Sequence, residues 1–242
     1  MDPIHQFENE RAERINANAT NQDLIKSAND FMKASVEPKY SYNFSWMGRP
    51  IIQYPQDIVV MQELIWKIQP DLIIETGVAH GGSLIFYASM LELIGKGRII
   101  GIDIDIREHN RQAMEQHPMF KRIQLIQGSS IDESVVDQVK LEVKPGEKVM
   151  VILDSNHTHD HVLNELELYS PLVTPESYLV VFDTVIEFLP ELFPDRPWGK
   201  GDNPYTAVDQ FLAHHHQFQR DDTYNHKTLI TVAPGGFLRR IN

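Results

Sequence analysis

From residue 71 onward, short aliphatic runs alternate with stretches whose apolar positions recur at helical spacing. Residues 71–75, 98–103, 122–126, 148–153 and 177–182 read as buried strands, each bounded by glycine or polar punctuation. Residues 83–94, 107–116, 132–139 and 159–170 carry helical patterns between them. Strands separated by helices of this length are joined by right-handed crossovers, which predicts a mainly parallel α/β sheet covered on both faces. The run at 227–232 reads as a final strand. Upstream, Pro55 opens a helix expected to reach Ile68, since proline is tolerated in a first helical turn. Residues 1–36 read as polar helix with scattered apolar positions. Residues 40–54 are aromatic-rich and punctuated by Gly48 and Pro50, an irregular segment that either covers a pocket or connects helices. The expected division is a helical extension with an aromatic lid segment at 1–54 and the main domain at 55–242.

Composition narrows the class. Hydrophobic residues make up 42% of the 242, enough for a substantial core in one large domain. No apolar run approaches the roughly 18–20 residues of a membrane span, and the polar first residues argue against a secretory leader. The absence of cysteine excludes disulfides, thiolate metal sites and a cysteine nucleophile, and it fits a cytoplasmic setting. A net charge of −12 argues against gripping nucleic-acid backbones and favours a small-molecule or glycan acceptor. The run His214-His215-His216 falls on a helix-like stretch, where consecutive side chains diverge, so a solvated face is expected rather than a metal site.

Ligands of open α/β sheets gather outside the carboxyl ends of the strands. Polar residues fall there after each of the five strands: Glu75 to Ser83, Asp103, Gly128 to Ser130, Asp154 to His157, and Asp183. Gly77 allows a tight turn and close approach to a ligand, while Gly81 and Gly82 start the next helix with its free N–H groups nearby. The spacing G-x-x-x-G-G lacks the dinucleotide fingerprint G-x-G-x-x-G, which counts against a pyrophosphate cofactor. Asp103, about 20 residues beyond the loop, suits a ribose diol, or alternatively a turn or helix cap.

The segments IIETGVAHGGS at 73–83, LDSNHTHDHV at 153–162 and PDRPWGKG at 194–201 resemble the cephalosporin hydroxylase family, which includes rhamnosyl O-methyltransferases. The resemblance spans about residue 40 to the C-terminus. It implies a Rossmann-like class I methyltransferase fold with a seven-stranded sheet, and S-adenosylmethionine as cofactor. It further implies that Glu75, Gly77, Gly81 and Ser83 border the methionine part, Asp103 the ribose, and Ser129 and Ser130 the adenine, with Asp154 beside the sulfonium. A homo-oligomer with N-terminal contacts is carried over from the same relatives, as is a role in polysaccharide or glycan biosynthesis.

Transfer of a methyl group to a hydroxyl requires in-line alignment and removal of a proton. His157 follows Asp154 by three positions and resembles in place the catalytic lysine of catechol-type O-methyltransferases. An imidazole, with a free pKa of about 6.5, serves as a base at neutral pH. His157 is thus the expected base, with His159 and His161 as helix-start or packing residues. Relatives often hold Mg²⁺ through the fourth-strand aspartate and an acidic pair after the fifth strand. Here Asp154 and Asp183 remain, and Phe182 stands where the antibiotic-pathway relatives carry glutamate. The proline- and glycine-punctuated loop at 187–203 suits an acceptor lid or a subunit contact. Trp198 would stack on a sugar ring, while Arg196 and Lys200 would bind an acidic portion. A sugar O-methyltransferase is the leading reading; a nicotinamide-dependent oxidoreductase and a non-catalytic methyltransferase-like scaffold are the alternatives.

Overall fold

The computed structural model describes residues 2–189 and 196–242. Helices α1 (Pro3–Asn18) and α2 (Gln22–Val36) lead through a single 3-10 turn (Tyr40–Asn43) to a hairpin of β1 (Phe44–Trp46) and β2 (Arg49–Ile51). After α3 (Pro55–Ile68), strands and helices alternate: β3 (Leu72–Thr76), α4 (Gly82–Ile94), β4 (Arg98–Asp103), α5 (Glu108–Glu115), β5 (Ile123–Gln127), α6 (Glu133–Glu142), β6 (Val149–Leu153), α7 (His159–Tyr169) and β7 (Tyr178–Val181). The chain ends with α8 (Pro204–His214), β8 (Phe218–Arg220), α9 (Thr223–Thr228) and β9 (Phe237–Arg240).

The main sheet has seven strands in the order β5-β4-β3-β6-β7-β9-β8. The first five are parallel, and β9 lies antiparallel between β7 and β8. Successive residues alternate between the two faces, which is why the strands read as unbroken apolar runs. Ile73, Ile99, Met150, Ile152, Val180 and Phe237 pack beneath α3 and α4. Leu72, Ile74, Ile100, Val151, Leu179 and Leu238 pack on the opposite side with residues of α6, α7 and α8. Chain order reverses between β3 and β6, so their carboxyl ends form the crevice where ligands bind in such sheets. Gly77 follows one of these strands and Asp154 the other.

The structure differs from the sequence reading at three places. The run at 227–232 is not a strand: α9 ends within it, and its remainder is held by Asp57 of α3, whose carboxylate accepts from the Thr231 hydroxyl (2.5 Å) and the Val232 N–H (3.1 Å). The last strand is instead β9, reached through Gly236, where a Cβ would lie 2.0 Å from the Val181 carbonyl oxygen. Residues 40–54 are not wholly irregular, because β1 and β2 pair antiparallel across Met47 and Gly48, both at positive φ. The histidine run does not continue a helix. It ends α8 at His214, and His215 stacks on Phe211 and contacts Glu167 at 3.0 Å.

Candidate active site

The loop after β3 is braced on three sides. Gly77 has φ +93°, and a Cβ there would lie 2.1 Å from the Asp154 carbonyl oxygen, so the backbones of the two strand ends touch. Asp103 reaches across from β4. Its Oδ2 accepts the Val78 and Ala79 N–H groups (2.8 and 3.1 Å), and its Oδ1 accepts the Asp105 N–H (3.0 Å). Arg49 of the hairpin donates through Nε to the His80 carbonyl (3.0 Å) and through Nη2 to Asn110 (2.9 Å), which itself donates to the Ala79 carbonyl (3.0 Å). The hairpin backbone also lies on the start of α4, where a Cβ on Gly82 would meet the Pro50 carbonyl at 2.1 Å. Gly81, at φ +79°, precedes that helix and presses against Met114. Beneath the loop Glu75 is fully buried. Its Oε2 accepts from the Ser83 hydroxyl (2.9 Å), and its Oε1 has no partner. Burial pushes the Glu75 carboxyl up to about 8.

Two adjoining cavities flank this loop. The smaller, about 50 Å³, lies between hairpin and loop and is bordered by Pro50, Gly77, His80, Gly82 and Ser83. The larger, about 580 Å³, falls in the range of small-molecule sites. Ile52, Gln53, Ala79 and Asp154 line both, so they mark the seam. Strand ends supply Asp154, His157 and Asp183 to one wall of the larger cavity, while α2 and the segment after it supply Met32, Val36, Lys39 and Tyr42 to the other.

The chemical groups converge at that seam. His157 Nε2 lies 3.0 Å from Asp183 Oδ2. One ligand atom from each of Asp154, His157 and Asp183 lies within 4.8 Å of the others. Asp183 has φ +56°, an unusual backbone for a non-glycine residue, and it turns the carboxylate toward the cavity. The preceding Phe182 is 1% exposed and belongs to the core below α4. Burial raises the Asp154 carboxyl well above its ordinary value, and the neighbouring Asp183, Glu75, Glu165 and Asp57 raise it further.

Other expected site residues are distributed differently. Ser129 and Ser130 border neither cavity. The Ser130 hydroxyl is 3.1 Å from His161 Nε2, and its carbonyl accepts from Tyr169. His161 also lies 3.4 Å from buried Glu165, while His159 contacts Thr206 and Gln210 of α8, so both histidines pack α7. In the loop at 187–203, residues 190–195, with Pro194 and Asp195 of the expected motif, lie outside the described residues. The return leg is stapled: Glu187 accepts from the Gly201 N–H (2.9 Å) and from Asn203 (2.6 Å), and Asp202 accepts from the His159 N–H (2.7 Å). Trp198 and Arg196 line the larger cavity, whereas Lys200 is exposed outside it. The Trp198 ring already meets His157 edge-on at 4.8 Å and the Arg196 guanidinium at 5.4 Å.

Three contributors were not visible as chemistry in the sequence. Gln53, 6% exposed, places an unpartnered Oε1 at the seam. Asp57 is fully buried under the Thr231–Val232 backbone, and burial raises its carboxyl to about 7. Arg49 closes the hairpin on the loop. An amide in a turn and an acid in a first helical turn carry no distinctive pattern, so only the packing reveals them.

The sequence profile of the family described as Rhamnosyl O-methyltransferase/CmcI matches residues 38–241. The chain is 30% identical over 199 residues to a rhamnosyl O-methyltransferase of Mycobacterium tuberculosis, covering 81% of this chain and 78% of that protein. It is 31% identical over 199 residues to the Mycobacterium leprae rhamnosyl O-methyltransferase, covering 81% and 82%. In fold it is similar to CmcI solved with magnesium and S-adenosylmethionine, with TM-score 0.60 and 20% identity over 83% of this chain and 78% of that one. It also resembles an O-methyltransferase of Bacillus cereus in complex with S-adenosylhomocysteine, with TM-score 0.52 and 15% identity over 83% of each chain.

Proposed function

Because the chain belongs to the Rhamnosyl O-methyltransferase/CmcI family of S-adenosylmethionine-dependent O-methyltransferases, we propose that it methylates a sugar hydroxyl on a glycan, glycolipid or glycosylated natural product. Membership leaves the nicotinamide and non-catalytic readings without support. The observation that carries the proposal is the His157–Asp183 pair, set beside Asp154 where the two cavities meet.

The cofactor supplies an electrophilic methyl on a sulfonium. The residues of the crevice, rather than its volume of about 50 Å³, suit it: a loop that tolerates no Cβ at Gly77, the Ser83 hydroxyl opposite, and carboxylates around a point where positive charge would rest. Gly77, Gly81, Ser83 and buried Glu75 shape the methionine end. Asp103 holds the loop through Oδ2 and the Asp105 N–H through Oδ1, and would take the ribose hydroxyls on the lone pairs that remain. Ser129 and Ser130 would serve the adenine end through their backbone, because the Ser130 hydroxyl is engaged by His161.

The Asp183 carboxylate accepts the Nε2 proton of His157, which leaves Nδ1 as the basic nitrogen; this is the orienting logic of catalytic His–Asp pairs. Nδ1 would take the proton of the acceptor hydroxyl as its oxygen bonds to the methyl carbon and the carbon–sulfur bond breaks, its electron pair passing to the sulfonium sulfur. Two carboxylates facing an open cavity suit Mg²⁺, which commonly binds one or two carboxylates and completes its shell with water and substrate oxygens. Asp154 and Asp183 would hold it, and its charge would gather the acceptor oxygens. Arg196 and Trp198 border the acceptor on the loop side, and residues between Met32 and Tyr54 form its cover. The same reading has the chain act in the cytoplasm as a homo-oligomer, with exposed Ile4 and Phe7 of α1 as contacts.

Titration calorimetry with S-adenosylhomocysteine, followed by a panel of glycosides incubated with methyl-labelled cofactor, tests the proposal. Binding of the nucleoside together with label in a sugar product is expected. Failure of the chain to bind the nucleoside sinks the reading.

A further inference from the structure

We propose that a third cavity, walled by α1, α2 and α9 beside the acceptor site, is a subsite for a neutral sugar, and that the acceptor is an oligosaccharide whose second unit sits there. That the subsite extends the acceptor rests on the reading of the larger cavity given above; that it binds a neutral sugar does not.

The cavity measures about 260 Å³ and lies between the end of α1, α2, α9 and the segment after β7. It shares Met32, Val185 and Leu189 with the larger cavity, so one layer of apolar side chains stands between the two. Those three residues form a small cluster with Tyr54. Met32 is unbranched and can repack without strain, which lets a ligand reach across the layer.

The chemistry of this cavity differs from that of its neighbour. Among the described residues that line it there is no Asp, Glu, Lys or Arg. Its polar groups are the amides of Asn18, Asn29 and Asn225, the His226 imidazole and the Thr231 hydroxyl, which is taken up by Asp57. Asn18 donates through Nδ2 to the His226 carbonyl (3.1 Å), which ties α1 to α9 and leaves Oδ1 available. The side chains of Asn29, Asn225 and His226 have no hydrogen-bond partner among the described residues. An amide offers donors and an acceptor together, the complement of a hydroxyl, which is both. Phe188 adds a half-exposed aromatic surface, met edge-on by Tyr205 at 4.9 Å.

A pyranose presents hydroxyls at its edge and C–H groups on its faces, and so satisfies both kinds of wall. A charged sugar would shed its hydration here with no opposite charge to meet. An alkyl chain would strip water from three side chains and return no hydrogen bond to them. Leu229, which also lines the cavity, has φ +57° and ψ −40°, a backbone that a branched residue rarely adopts, and strain of this kind collects where ligands are clamped. The walls from α1 and α2 precede residues 38–241, so this part of the subsite lies outside the residues that carry the family match.

Saturation-transfer NMR and competition titrations test the subsite with three sets of probes: methyl glycosides of neutral monosaccharides, methyl glycosides of disaccharides built from the same units, and octyl glycosides of those monosaccharides. At least one disaccharide should bind about 10-fold or more tightly than its component monosaccharides, roughly the worth of two hydrogen bonds, and take methyl label with a correspondingly lower KM. Asn29→Ala combined with Asn225→Ala should return that disaccharide to the affinity of the monosaccharide, while monosaccharide binding, S-adenosylhomocysteine affinity and melting temperature stay near the parent's. Ile25→Trp, which fills the cavity from α2, should remove the same gain by bulk. Disaccharides that bind no more tightly than monosaccharides, a gain that survives both variants, or a larger gain from the octyl chain than from the second sugar overturns the subsite. A disaccharide gain in a chain that does not bind the nucleoside leaves the subsite standing and removes the methyltransferase reading; methyl transfer to monosaccharides with no disaccharide gain does the reverse.

Discussion

Asp103 holds Val78: a carboxylate at the end of β4 accepts the first N–H groups after the Gly77 bend, and so fixes the loop before any ligand arrives. Its other oxygen accepts the Asp105 N–H, so the one carboxylate ties the loop after β3 to the turn after β4. Asp103→Ala should weaken nucleoside binding by about 10-fold or more and lower stability by about 1–2 kcal/mol, the range for unpairing polar groups of this kind. Calorimetry and urea melts separate the two effects. Parental affinity would show that the loop keeps its form without the carboxylate.

Gly77→Ala meets both a left-handed backbone and an approach of 2.1 Å to the Asp154 carbonyl. The strands on either side are fully buried and have no room to separate, so a loss of about 3 kcal/mol or more is expected. Gly95→Ala serves as the comparison, because a Cβ there meets nothing within 4 Å and only the positive φ is penalised. Equal melting temperatures for the two variants would contradict the close contact.

His157→Ala should bind S-adenosylhomocysteine like the parent while turnover falls about 10²–10⁴-fold, the usual contribution of a positioned base. Asp183→Asn should lose most of that factor as well, through loss of the orienting carboxylate. Unchanged turnover in His157→Ala would remove the residue from the mechanism.

Glu75 and Asp57 couple stability to pH. Burial raises both carboxyls, to about 8 and about 7, so the native state keeps protons that the unfolded chain releases above about pH 4. The native state binds more protons between those limits, so stability falls as pH rises from about 5 to 8, on the order of 1 kcal/mol per pH unit for each retained proton. Glu75→Gln removes one such group, and its urea midpoint should exceed the parent's at pH 8.5 and approach it at pH 5. A parent whose stability rises across this interval would contradict the assignment.

Glu187→Ala unties the return leg of the loop that carries Trp198. Acceptor KM should rise several-fold with nucleoside affinity unchanged, since neither Glu187 nor Trp198 borders the smaller cavity beside the Gly77 loop. Equal loss of both affinities would place Glu187 in the general fold instead.

Four of the five parallel strands were legible because they are buried on both faces and mostly aliphatic, whereas β5, at the sheet edge, alternates aliphatic residues with Gln124 and Gln127. The short β8 and β9 were not, since three or four residues show no period. The run at 227–232 looked like a strand through its β-branched residues. Those residues are instead used where Val232 lines the cavity and Thr231 meets Asp57, a partner 174 residues away. The hairpin escaped notice because Met47 enters a left-handed turn that usually calls for asparagine or glycine. Asp154, His157 and Asp183 were legible from their place at strand ends. Gln53 and Asp57 were not, because their importance lies in burial alone.

The cavity draws its two walls from separate stretches of chain: the sheet edge provides the reactive trio, and α2 with the segment behind it provides the opposite face. The two walls are thereby written in different parts of the polypeptide. An exchange of the first few dozen residues would present new molecular shapes opposite an unaltered Asp154, His157 and Asp183, a modular route by which one scaffold acquires differently shaped cavities.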